Sequence, residues 1–306
     1  MTKPNISVVG SINMDLVKEV SNFPNKGETV LGKNFFTSFG GKGANQAIAS
    51  SRLGAEVTMF GCVGDDDYGK KLISNLQRNG VNTENVTSVA NMTSGIASIT
   101  LSEEDNSIIV IPGANNKVTP EYIFDREAEI IKSDLILASI EIPLETVVCV
   151  SEMAKKYHIP FVLNPAPATQ LPAKLIQNST LLTPNEHEFF VVLGSNDQKS
   201  IYEERINTYN GAIIITRGSK SAVMKKEKGE LKYLPSYKVR VVDTTGAGDA
   251  FNGAIAYMLA KGEDLEDAAK FAMAVSALAV TKLGAQTGLP TIEEYDNFMQ
   301  SNNILR

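Results

Sequence analysis

A chain of 306 residues, 43% apolar and 21% charged, can bury the core of a large α/β domain, which excludes a disordered polymer. Its 29 Lys and Arg against 35 Asp and Glu leave a formal charge of −6, so it lacks the polycation needed to displace counterions, and nucleic acid is excluded as a main partner. Two histidines, His158 and His187, leave little room for a zinc cage or a Ser-His-Asp relay. Cys62 and Cys149 sit in apolar runs, read as core residues, and fit a reducing compartment. With no leader-like N-terminus and no run of 18 apolar residues, the sequence predicts a soluble, cytoplasmic protein with no membrane contact.

Short β-branched runs alternate with amphipathic stretches along the chain. Residues 6–10 predict the first strand. Residues 12–40 then hold extended, aromatic-bearing segments (29–31 and 33–39) where a crossover helix would be expected. A helix over 42–53, a strand over 57–63 and a helix over 69–79 follow. Residues 95–112 read as a hairpin turning at 103–106. Strands at 134–140, 159–164, 181–183, 212–216 and 239–242 are predicted, with helices over 143–157 and 186–193 between them. Helices over 247–259, stopped by Gly262, and 265–283 close the chain, and 271–280 is apolar almost all round, as a buried helix is. Apolar strands joined by helices predict a mostly parallel sheet covered on both sides. The two stretches that break the rhythm, about 12–40 and 95–112, predict a small second sheet, a lid over one edge. No repeat or linker divides residues 1–306, so they read as one domain.

Residues 64–71 satisfy GxxxxGK between a strand and a helix, yet Lys71 stands where a magnesium-binding Ser or Thr is needed, and Asp65, Asp66 and Asp67 would repel a triphosphate. This segment reads as a strand-to-helix turn. The stronger signal is Asp243-Thr244-Thr245-Gly246-Ala247-Gly248-Asp249-Ala250-Phe251-Asn252-Gly253. Glycines opening a helix let successive N–H groups converge on an anion. A carboxylate at Asp249 would repel that anion unless it has work there, and accepting a proton from an attacking alcohol is such work; the plain alternative is an acidic cap. Phe39-Gly40-Gly41-Lys42-Gly43-Ala44-Asn45-Gln46-Ala47 allows close backbone approach and offers Lys42 and Asn45 as donors. Asn13-Met14-Asp15 and Glu141 follow strand ends, where open α/β sheets bind ligands, and as a set they suit a polyhydroxyl compound. In Asn185-Glu186-His187-Glu188 the paired acids Glu186 and Glu188 could hold water-coordinated magnesium near phosphates or simply enrich a helix first turn, with His187 at the surface. Thr216–Ser219 could contact a nucleotide or be a plain turn.

GGKGANQA and DTTGAGDAFNG, taken together, resemble the paired signatures of the ribokinase (PfkB) carbohydrate kinase family, and the resemblance runs through the whole chain. It implies a three-layer α/β/α sandwich with a mostly parallel central sheet and a β-sheet lid, often dimeric through the lids. It implies transfer of a phosphoryl group from MgATP to the 5-hydroxyl of D-ribose. By that resemblance Asn13, Met14, Asp15, Gly41, Lys42, Gly43, Ala44, Asn45, Glu141 and Asp249 bind the sugar. Asp249 is the base, and Gly246, Ala247 and Gly248 form the anion hole. Asn185, Glu188, Thr216, Arg217, Gly218, Ser219, Lys220, Ser221 and Gly248 serve the nucleotide. Asp243, Thr245, Ala279, Lys282, Gly284 and Gly288 hold an activating monovalent cation such as potassium; a serine is frequent at the Gly288 position. Related kinases acting on deoxyribose, fructose or adenosine, and a non-catalytic sensor on the same scaffold, remain open. A dinucleotide-dependent dehydrogenase is a distant third, since no GxGxxG follows the first strand.

Overall fold

The computed structural model describes residues 2–102, 106–193, 205–207 and 209–301, so residues 103–105 of the turn predicted at 103–106 lie outside the described residues. Two sheets organise the chain. The large one contains β1 (Asn5–Val9), β4 (Glu56–Gly64), β5 (Val81–Asn82), β6 (Val86–Val89), β9 (Leu135–Ser139), β10 (Phe161–Asn164), β11 (Leu181–Leu182), β12 (Ala212–Thr216), β13 (Ser221–Lys225) and β14 (Leu231–Pro235). Its order is β14-β13-β12-β11-β10-β9-β1-β4-β5, with β6 paired to β4; among the described strands only β13 runs against the rest, pairing antiparallel with both β12 and β14. The small one, ordered β3-β2-β7-β8, comprises β2 (Asn13–Val20), β3 (Gly32–Gly40), β7 (Gly95–Leu101) and β8 (Asn106–Ile111). It falls within the two segments expected to form a lid.

Alternating side chains of the central strands explain the three layers. Leu135 and Leu137 enter one apolar cluster, with helices α1 (Lys42–Arg52), α8 (Ala247–Ala260) and α9 (Leu265–Ala279). Ile136 and Ala138 enter the other, with α5 (Leu144–Lys156) and α7 (Glu186–Val192). Further helices are α2 (Asp67–Arg78), α3 (Pro120–Phe124), α4 (Glu127–Ile130), α6 (Ala173–Asn178) and α10 (Ile292–Ser301). Among the described residues, no helix is long and apolar enough to cross a membrane. Strand order diverges from β1, with β4 on one side and β9 on the other, so ligand-binding loops are expected where the chain leaves β1 and β9.

Several expectations need correction. The 239–242 run is not a strand: Val241 and Val242 are exposed, and Val242 and Asp243 N–H groups bond only to the Val280 carbonyl. β-branched residues favour extension, but a strand also needs a neighbour. The helix expected over 265–283 ends at Ala279, with Val280 as its cap, because the segment beyond turns through Gly284 at φ 88°. Residues 29–31 lie outside β3, and Asn13–Asp15, just past the first strand, open β2. Cys149 is half-buried rather than core, whereas Cys62 is buried. Residues 64–71 form the expected turn: Asp66 caps α2 by accepting from Gly69 N–H at 2.7 Å, and from Ser94.

Candidate active site

Two glycine-rich turns bring the loops after β1 and β3 into backbone contact. Gly41 has φ 89°, and a Cβ there would stand 2.6 Å from the Asn13 nitrogen; one on Gly43 would stand 2.6 Å from the Gly10 carbonyl carbon. Gly40 leaves the space that the Asp15 carboxylate occupies. Along β2 the strand period puts Asn13 and Asp15 on one face and sends Met14 into the core, so Met14 brings no polar group to the site. Asn13 Oδ1 accepts from Asn115 Nδ2 at 2.7 Å, and Asn115 Oδ1 accepts from Ile12 N–H at 3.0 Å. Glu141, just past β9, accepts from Ser11 Oγ at 2.5 Å and from the Lys42 N–H at 3.2 Å. Asn13, Asp15, Gly41, Lys42, Gly43, Ala44 and Glu141 thus surround the point where the sheet order diverges.

Asp249 comes from the other end of the sequence, in the first turn of α8. Its Oδ2 accepts from Asn45 Nδ2 at 2.8 Å and its Oδ1 from Gln46 Nε2 at 3.0 Å; Gln46 Nε2 also reaches Asn164 Oδ1 at 3.0 Å. Burial raises the Asp249 carboxyl above the usual range, while Lys42 and the two amides pull it back. Burial first, then Glu141 and Asp249, push Asp15 up to about 7. Burial disfavours charge on Lys42, but Asp249, Glu141 and Glu188 outweigh it and leave the ammonium more basic than usual. The site therefore gathers one cation and four carboxyl groups, a set of acceptors suited to the hydroxyls of a neutral polyol.

At the head of α8, Gly246 takes φ 80° and lies against the backbone of Ala285, which a Cβ would approach to 2.9 Å. A Cβ on Gly248 would meet nothing within 4 Å, so the space beside its Cα is open. Ala247 N–H closes a turn onto the Thr244 carbonyl at 3.2 Å.

Asn185 and Glu188 form a capping box at the start of α7, and burial raises Glu188 despite the Asn185 N–H and Lys42. His187 is exposed. A bridge pairs Asn185 with Thr216, and Arg217 Nε meets Glu186 at 2.9 Å. Residues Arg217 to Ser221 form the turn from β12 into β13, with Gly218 at φ 57° and the Arg217 N–H donating to the Ser221 carbonyl. Lys220 stands 3.8 Å from Glu186, and the Ser219 carbonyl accepts from Ser236 Oγ. Ser236, Tyr237, Lys270 and Met273 line a cavity of about 490 Å³ beside this turn.

Asp243 is held by the Thr245 N–H and hydroxyl and, through Oδ2, by the Gly284 N–H at 2.8 Å; these outweigh burial and keep its carboxyl below the usual range. A Cβ on Gly288 would stand 2.6 Å from the Ala279 oxygen and 3.0 Å from that of Gly284. Lys282 Nζ is paired with Glu294, leaving its backbone oxygen as the group it can offer. This all-oxygen set suits a hard cation.

Sequence reasoning missed Ser11, Gln46, Asn115, Asn164 and Gln286. Gln46 alone carried a signal, as a large amide on the helical run after GGKGAN.

Residues 3–292 match the family described as pfkB family carbohydrate kinase. The chain is 45% identical to a ribokinase of Bacillus subtilis over 295 residues, covering 96% of this chain and 99% of that one. It is 37% identical to a deoxyribokinase of Salmonella typhi over 309 residues, covering 97% and 99% respectively. A solved structure of Arabidopsis thaliana ribokinase complexed with ribose and ATP superposes with a TM-score of 0.89 at 30% identity, covering 98% of this chain and 99% of that one. With a buried carboxylate behind a glycine turn, polar groups gathered where the sheet order diverges and a family match across almost its whole length, the chain belongs to the pfkB family of carbohydrate kinases.

Proposed function

We propose that this chain transfers the γ-phosphoryl group of MgATP to the 5-hydroxyl of D-ribose. The observation that carries the reading is Asp249, buried, held by two amides and placed one residue after the open Gly248 turn. Asn13, Asp15, the Gly41–Asn45 segment and Glu141 offer hydrogen-bond partners to several hydroxyls at once, as a polyol requires. The relatives named above support ribose as the sugar and ATP as the donor.

In this reading Asp249 accepts the proton of the 5-hydroxyl as it attacks the phosphorus, and burial, which raises its basicity, makes it a better acceptor. N–H groups at Gly246–Gly248 stabilise charge growing on the equatorial oxygens; losing one such donor typically costs about 100- to 1000-fold in rate. The Ala247 N–H must leave its turn bond to join them. Lys42 balances the charge between the carboxylates and the incoming phosphate. Asn185 and Glu188 serve the magnesium-bound phosphates, residues 216–221 the nucleotide, and the adjoining cavity its base. Asp243, Thr245 and the backbone oxygens of Ala279, Lys282, Gly284 and Gly288 would hold a monovalent cation such as potassium, which supplies fixed positive charge beside the turn.

The lid sheet closes over the sugar and excludes water. The face away from Asp15 carries Phe35 and Ile109, both more than half exposed, which supports a homodimer through the lids.

A coupled ADP-release assay in potassium buffer, run side by side on D-ribose, 2-deoxyribose, fructose and adenosine, tests the assignment. Turnover strongest on ribose is expected. Stronger turnover on 2-deoxyribose would move the substrate to that of the Salmonella relative, and binding without turnover would favour a sensor.

A further inference from the structure

One buried array lies behind the substrate-facing residues. Gln286 sits in the loop after α9, two residues beyond Gly284, and is 6% exposed. Its Oε1 accepts from Asn75 Nδ2 of α2 at 2.7 Å, and its Nε2 donates to Asn45 Oδ1 at 2.9 Å. Asn45 Nδ2 in turn donates to Asp249 at 2.8 Å. We propose that Gln286 is a positioning residue that fixes which end of the Asn45 carboxamide faces Asp249. The inference rests on Asp249 being the base.

A carboxamide is almost symmetric in shape, so packing alone does not choose between its two orientations. Hydrogen bonding does. The nitrogen of Gln286 can only donate, so it selects the Asn45 oxygen and leaves the Asn45 nitrogen for the carboxylate. Turned the other way, Asn45 would set an acceptor against an anion and a donor against a donor. Gln286 is itself oriented by Asn75, and its backbone carbonyl is tied by Arg52 Nη1 at 2.8 Å. The donors from Asn75 to Asp249 all point one way, so each bond polarises the next. Neighbouring Ala285 packs against Gly246. One loop therefore touches the anion turn through its backbone and the base through a side chain.

Lys42, Glu141, Asp15 and Glu188 face Asp249 from the other elements around it. Replacing neutral Gln286 leaves their charges in place, so a moved titration of the base reports the lost bond. The test measures kcat and KM against pH for wild type and Gln286→Met, alone and combined with Asp249→Asn. In Gln286→Met, kcat falls about tenfold and the acidic limb of kcat moves up by about one unit, the equivalent of one hydrogen bond to a charged group. KM for ATP stays within about twofold, and in the Asp249→Asn background the substitution costs nothing more, because both changes act through one carboxylate. An unmoved limb, or the same fold-loss in both backgrounds, would overturn the proposal and leave Gln286 as packing. If Gln286→Met does not fold, Asn75→Ser must shift the limb the same way, and an unmoved limb there overturns it equally. An inactive wild type would instead overturn the reading of Asp249 and this inference with it.

Discussion

Asn45 and Asp249 stand 204 positions apart in the chain and meet at 2.8 Å in a buried hydrogen bond. Their helices can approach that closely because of Gly253, where a Cβ would stand 2.9 Å from the Gln46 oxygen and 3.0 Å from the Ser50 nitrogen. Ser50 Oγ then donates to the Gly253 carbonyl at 3.0 Å, tying α1 to α8. Each glycine motif holds half a site, and this helix contact joins the halves.

A branched side chain at Gly253 must therefore push α8 away from α1. Gly253→Val is expected to destabilise the fold by about 1–3 kcal/mol, the usual cost of overpacking a buried contact, and to lower kcat in whatever folds. Urea unfolding followed by a rate measurement checks both, and wild-type stability with wild-type rate would contradict the contact's role.

Asp15 makes stability depend on pH. Its carboxyl titrates at about 7 in the folded protein, against 3.8 when free of these surroundings. Between those values the folded state keeps a proton that the unfolded chain has released, so stability falls as pH rises from about 4 to 7 and stays low above it. Asp15→Asn removes that slope, stabilising the sugar-free protein at pH 8 by about 1–4 kcal/mol while weakening sugar binding. Urea midpoints at pH 5 and pH 8 decide the matter: the gain must be larger at pH 8, and equal gains would contradict the raised pKa.

Gly246 has two reasons to be glycine, its φ of 80° and its contact with Ala285. Gly246→Ala should lower kcat about 10- to 100-fold by displacing the N–H groups proposed to face the phosphate, with little change in sugar KM. An unchanged kcat would remove the turn from the mechanism.

The cation reading makes its own prediction. Replacing potassium by sodium at constant ionic strength should depress the rate, and Asp243→Asn, which removes the charged oxygen of the set, should blunt the difference. A wild-type rate indifferent to the exchange would count against a cation at Asp243.

Much of this was legible from local pattern. The β-branched runs at β1, β4, β9 and β12 carry their own periodicity, and the glycines of both motifs announce turns whatever surrounds them. The supporting amides were not legible. Asn115, Asn164 and Gln286 reach their partners across 103, 118 and 241 positions, and nothing near them in sequence distinguishes them from surface amides. The β13–β14 hairpin was hidden by the charged stretch at 225–230 that forms its turn, while the valines at 239–242 suggested a strand that has no partner.

The central claim is that Asp249 takes the proton from the attacking hydroxyl. It is tested most directly by Asp249→Asn, measuring ADP release at saturating MgATP and D-ribose together with ribose affinity by calorimetry. The account predicts kcat lower by about 100- to 10,000-fold, as for loss of a general base, with ribose affinity changed by less than about threefold. A variant that turns over at the wild-type rate, or loses ribose binding as steeply as rate, would contradict it.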